Sequence, residues 1–229
     1  MVNLENLEKM KYLALTFLGI FLVTSPITAS NTQTATFLVD HPSYINDALK
    51  TLHKLPEVKA LFQRVEKEGV IHVTQNHSIT AQFGAFWEGY SRNILVNIGP
   101  KSTPGTILCS ILFELHNAAT DRDFAKLAFQ ASSGKLTKQE YVEKVERLEH
   151  SNAIKTVRLL EKGIREGYFP KTARWPIFEN FEDHFRLQKQ TGHSQWIANR
   201  YDEIRARSYN NSFNTIAQRD RAESYSHEQ

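Results

Sequence analysis

The chain has 229 residues, with 28 Lys and Arg against 25 Asp and Glu and a net charge of +3. Basic and acidic residues interleave along it, so there is no clustered basic face and nucleic acid is not an expected partner. The single cysteine, Cys109, excludes an internal disulfide and with it the bridge-stapled class of small secreted domains.

Residues 1–11 are polar and carry Lys9 and Lys11, and Tyr12 to Val23 is then almost wholly apolar. Pro26 and the small residues Thr28, Ala29 and Ser30 follow. A charged start, a short apolar core and a small-residue exit form the pattern of a bacterial secretory signal peptide. The apolar core is shorter than the roughly 20 residues that span a bilayer. The expectation is a signal peptide over 1–29, cut after Ala29, with an uncleaved anchor as the rival reading. Membrane contact is expected only through this segment, and only if it stays attached. Removing it takes away two basic residues (Lys9, Lys11) and two acidic ones (Glu5, Glu8), so the charge is unchanged. Periplasm, cell envelope or the exterior is the expected location.

Residues 30–42 read as a polar linker, 43–208 as one α+β globular domain and 209–229 as a polar tail. About 200 residues can bury most of their apolar surface in one core without bridges. From Ser43 the period is helical, with Tyr44, Ile45, Ala48, Leu49 and Leu52 at threes and fours. Pro56 opens a second helix whose apolar face is Val58, Leu61, Phe62 and Val65, closed by Gly69. Three β-runs follow, at 70–74, 82–87 and 93–98, and their spacing predicts a small antiparallel sheet or meander. After the Gly99-Pro100 and Pro104-Gly105 loop the helical period returns. Helices are expected over 106–120, 124–132, 138–165, 178–189 and 194–208, the 138–165 helix opening on a capping box of Thr137 and Glu140. A mostly helical domain with a small sheet is an α+β fold.

The helix beginning at Thr106 carries the suggestive chemistry. Ile107, Leu108, Ile111, Leu112, Leu115 and Ala118 form its apolar stripe, and Glu114, His116 and Asn117 are set into it. The order of a strand, a loop and then the pentapeptide Phe113-Glu114-Leu115-His116-Asn117, followed by Ala118-Ala119, resembles the zincin metallopeptidases, whose helix bears H-E-x-x-H. The likeness in order covers about residues 70–150; the likeness in motif covers about ten. In that motif two histidines four apart hold zinc, and the glutamate acts as general base on the bound water. Here the glutamate is present as Glu114. The histidine positions hold Phe113, which has no lone pair, and Asn117, a poor zinc ligand, and His116 lies off the second ligand position. The resemblance therefore implies a degenerate zincin-like scaffold without the family's zinc, and no cofactor is expected.

In the Glu-ligand branch of that family a downstream helix supplies the third ligand, and Glu146 or Glu149 stands in a similar place. Glu149, Asn152 and Thr156 continue the apolar line of Val142 and Val145, which makes them candidates for a buried polar patch facing the Glu114–Asn117 helix. One reading makes Glu114, Asn117 and Glu149 polar residues satisfied between helices. Another makes Glu114 and His116 catalytic, with Asn117, Glu146, Glu149 and Asn152 binding. His72, His77, His184 and His193 show no ligand spacing and read as ordinary surface or strand residues, and Cys109 and Ser110 lack the surroundings of a nucleophile. The Phe178-Phe181-Phe185 series reads as core, and Trp87, Tyr90, Trp175 and Trp196 are aromatic residues that a groove could use. The expected function is that of an exported, non-catalytic binding protein with an unknown protein or envelope partner. An atypical hydrolase using Glu114, His116 and a glutamate of the long helix is one alternative, and a bacterial effector acting in a host cell is the other.

Overall fold

The computed structural model describes residues 42–76, 84–175 and 177–208. The expected signal peptide, most of the linker, His77, the start of the second β-run and the tail lie outside the described residues. The architecture is α+β: among the described residues it is mostly helical, with a three-stranded mixed sheet. Contacts divide the described residues into two compact units, the first within 42–119 and 152–177, the second within 120–151 and 178–208. No described helix is long and apolar enough to cross a membrane.

In unit 1, α1 (Pro42–Leu52) buries Ile45, Ala48 and Leu52, and α2 (Pro56–Glu66) buries Val58, Leu61, Phe62 and Val65. The three-and-four spacing selects all of these; it also selects Leu49, which is half-buried, and Tyr44, which is exposed. Strands β1 (His72–Asn76), β2 (Ala85–Glu88) and β3 (Asn93–Asn97) form a sheet in the order β1-β3-β2. The sheet is mixed, not an antiparallel meander: β2 pairs antiparallel to β3, but β1 pairs parallel to it, His72 opposite Asn93. The reason lies in composition. Strand β3 is the one with two fully buried residues, Ile94 and Val96, and takes the centre, while polar β1 is left at an edge.

The β2–β3 turn places Arg92 at a φ of 52°, and its guanidinium donates to Val65 O at 2.7 Å and Gly69 O at 3.1 Å. These bonds tie the turn to the end of α2 and the residues after it, where Val65 O also accepts from Glu68 N at 3.1 Å. Helix α3 (Pro104–Ala119) is buried from Ile107 to Ala118 on every side, well beyond the single stripe expected. The C-terminal part of α5 (Lys138–Arg165) completes this unit with Ala153 and Leu160.

Unit 2 contains α4 (Asp121–Ser132), the N-terminal part of α5, α6 (Phe181–Thr191) and α7 (193–208). Its core joins Ala131, Leu136, Tyr141, Val142, Val145, Phe185 and Ile197, and Phe181 stacks on Phe185 at 5.3 Å. The capping box is present: Thr137 N donates to Glu140 Oε2 at 2.8 Å, and Glu140 N donates to Thr137 Oγ1 at 3.3 Å. The Asn180 side chain accepts from Glu182 N at 2.7 Å to start α6, and Gly192, at a φ of 87°, ends it. A left-handed residue there costs glycine little.

Gly163, inside α5, faces the buried ring of Phe169, and a Cβ built on it would lie 2.2 Å from that ring. Alanine improves a helix interior by about 0.5–1 kcal/mol relative to glycine, whereas overpacking a core costs about 1–3 kcal/mol. Gly163→Ala is therefore expected to lower stability, read as a lower urea midpoint; a gain would show that Phe169 moves aside freely.

Candidate functional site

The polar residues of α3 are tied into unit 1. Glu114 is buried, and its Oε2 accepts from Trp87 N at 3.0 Å and from Asn117 Nδ2 at 3.0 Å. Because β2 is an edge strand, the Trp87 N–H points away from β3 and needs a partner of this kind. Asn117 Oδ1 in turn accepts from Asn152 Nδ2 at 3.0 Å, and Asn152 Oδ1 accepts from Lys155 Nζ at 3.3 Å. The chain of bonds runs from the sheet edge through α3 to α5. Phe113, ahead of Glu114 on the same helix, stacks on Trp175 at 5.0 Å within the core.

His116 Nδ1 lies 3.1 Å from Leu112 O and 3.1 Å from Thr156 Oγ1. A carbonyl can only accept, so the bond to Leu112 puts the proton on Nδ1. Thr156 Oγ1 donates to Asn152 O at 2.9 Å, leaving its lone pair for the same ring N–H. Burial pushes the imidazole down to about 4, with the Leu112 carbonyl opposing the shift. Burial likewise pushes the Cys109 thiol up to about 12, which fits the expectation that it is no nucleophile.

The glutamates expected beside these residues have their contacts in unit 2. Glu146 is fully buried, at 0 % exposure. Its Oε1 accepts from Ser194 Oγ at 2.7 Å and lies 3.1 Å from His193 Nδ1. Its Oε2 has no hydrogen-bond partner among the described residues and lies 3.8 Å from His184 Nε2. The other ring nitrogen of His193, Nε2, is 3.5 Å from Glu149 Oε2. Ligand atoms of Glu146, Glu149 and His193 all lie within 4.8 Å of one another, a buried His/Glu/Glu group that could hold a metal ion.

Burial raises the Glu149 carboxyl above its ordinary value; His193 opposes the shift and Glu146 adds to it. Burial pushes His184 down to about 4, with Glu146 opposing. His150 Nε2 donates to Phe178 O at 2.8 Å, and its ring lies 4.8 Å from that of His184. Beside the cluster, a cleft of about 480 Å³ is lined by Val142, Phe185 and Ala198 and by the polar Gln139, Lys189 and Ser194.

Of the expected residues, the structure thus joins Glu114, Asn117 and Asn152 in one chain and pairs His116 with Thr156. It joins Glu146 and Glu149 to each other through His193. His184 and His193 correct the sequence reading: both are buried beside Glu146, where the absence of ligand spacing pointed to surface or strand positions. Their signal was the polar residue carried on the inner face of each helix, His184 beside Phe185 and His193 ahead of Ile197. His72 does lie on an exposed strand edge. Compared with protein-family models, curated proteins and solved structures, the chain matches none of them.

Two expectations follow for α3. Glu114→Ala removes the acceptor shared by the Trp87 N–H and the Asn117 amide, so it should cost about 1–3 kcal/mol in urea unfolding without abolishing the fold. For His116 the folded ring stays neutral down to about 4, whereas the free side chain protonates near 6.5. Between those values the unfolded chain binds the extra proton, so this group's contribution is complete above pH 6.5 and is lost as pH falls toward 4. The loss is on the order of 3 kcal/mol. His116→Gln should flatten the pH dependence of unfolding free energy by about that amount; an unchanged slope would place the acid sensitivity elsewhere.

Proposed function

We propose that the chain is an exported bacterial envelope or secreted protein that works by binding, on a zincin-like scaffold whose peptidase helix has become structural. The observation that carries this reading is the engagement of Glu114. Its Oε2 holds the β2 edge N–H and the Asn117 amide instead of standing beside a zinc-bound water. A general base must reach the proton it abstracts, and a carboxylate oxygen already accepting two bonds is poorly placed for that task. Phe113 and Asn117 supply no imidazole at the two family positions, which supports the same reading. Export rests on the charged, apolar and small-residue order of residues 1–29.

The full-length chain expressed in a secreting bacterial host should be recovered from the envelope or medium with Ser30 as its first residue. That protein, assayed with Zn2+ on a denatured protein substrate, should give the same background hydrolysis as its Glu114→Gln variant. A cytosolic chain retaining Met1 overturns export. Hydrolysis that the substitution abolishes overturns the non-catalytic reading.

A further inference from the structure

Helix α5 places Glu146 and Glu149 three residues apart, one turn along the same face. Gly192 ends α6 in a left-handed conformation, and α7 begins at the next residue, so His193 is held at the head of a helix directly after a one-residue break. The three side chains converge with ligand atoms within 4.8 Å of one another. Glu146 Oε2 is the second observation: it is fully buried and has no hydrogen-bond partner among the described residues. A buried carboxylate oxygen in this position carries a desolvation cost that a cation beside it would offset.

We propose that Glu146, Glu149 and His193 form a binding site for a divalent transition-metal ion, with zinc the ion that best suits the set. The orientation of His193 fits. Its Nδ1 faces Glu146 Oε1 at 3.1 Å and its Nε2 faces Glu149 at 3.5 Å. With Nδ1–H donated to Glu146 Oε1, the carboxylate fixes the ring so that Nε2 is turned toward Glu149. Ser194 Oγ fixes the same Glu146 carboxylate at 2.7 Å. Two carboxylates and one imidazole neutralise a divalent charge, and the imidazole selects against calcium and magnesium, which take all-oxygen sets. Three protein ligands leave a fourth tetrahedral position for water or for a donor atom of a bound molecule. Ser194, which holds the Glu146 carboxylate, also lines the cleft of about 480 Å³, so the site adjoins that cleft through this residue. The site departs from the sequence-based expectation of no metal. It uses neither Glu114 nor His116, so it is independent of whether the zincin-like reading holds.

The test is calorimetric titration of the full-length, chelator-treated chain with Zn2+, beside Glu149→Gln and His193→Asn. Wild type is expected to take up a single ion per chain and to melt at a higher temperature with Zn2+. Each variant should bind at least about tenfold more weakly and lose the thermal shift. Mg2+ and Ca2+ at the same concentration should produce neither effect. Should a variant fail to fold, ring-nitrogen resonances of the wild type read the site directly, and zinc should perturb His193 and its neighbour His184. No uptake by folded wild type overturns the proposal. So does uptake that both folded variants retain, a ring-nitrogen response confined to other histidines, or a response to Ca2+ equal to that for Zn2+.

Discussion

The constraint on which most of this fold depends is that polar groups carried inward by a helix must find partners there. Helix α5 carries Glu146, Glu149, Asn152 and Thr156 at spacings of three and four along its inner side, in place of the apolar residues that such a face normally presents. Each one removes a hydration shell when it is buried, at a cost comparable to several buried methylenes. The helices that meet α5 in each unit are consequently chosen as much for donors and acceptors as for volume.

The two units meet this demand differently. In unit 1 neutral amides and a hydroxyl do most of the work, and the one carboxylate, Glu114, is matched by a backbone N–H and an amide. Such a network specifies one arrangement of α3 against α5 and the sheet edge, because a slipped register would strand every member at once. In unit 2 the demand falls on two carboxylates with histidines around them. Histidine is the side chain that can answer a carboxylate as donor, as cation or as co-ligand, so the same geometry admits more than one charge state. A buried cluster with that latitude is where ligand chemistry is more readily accommodated than in a network of amides.

Much of the helical part of the fold was legible in the sequence because its signals are local. The periodicity of Val58, Leu61, Phe62 and Val65, the Thr137–Glu140 box and the glycine breaks each act within a few residues, and each element formed where those signals lie. Strand order was not legible. Pairing of β1 with β3 depends on which strand is most apolar and on a connection whose path no local pattern encodes. The site was half legible. Asn152 and Thr156 continue an apolar line and do face α3, as that line implies. Glu149, one turn earlier on the same line, belongs with His193, and nothing in the spacing of His184 and His193 along the chain announces that two separate helices deliver them to one carboxylate.

Glu114 shows what a buried carboxylate can do for the edge of a sheet. The edge of a sheet is a row of unsatisfied donors and acceptors, and an open edge is a template on which another chain can add a strand. The Trp87 N–H would be one of those donors, and the buried carboxylate of α3 occupies it. A carboxylate set among the apolar residues of α3 thereby closes that donor of the β2 edge from within, so that this position offers an incoming strand no free N–H.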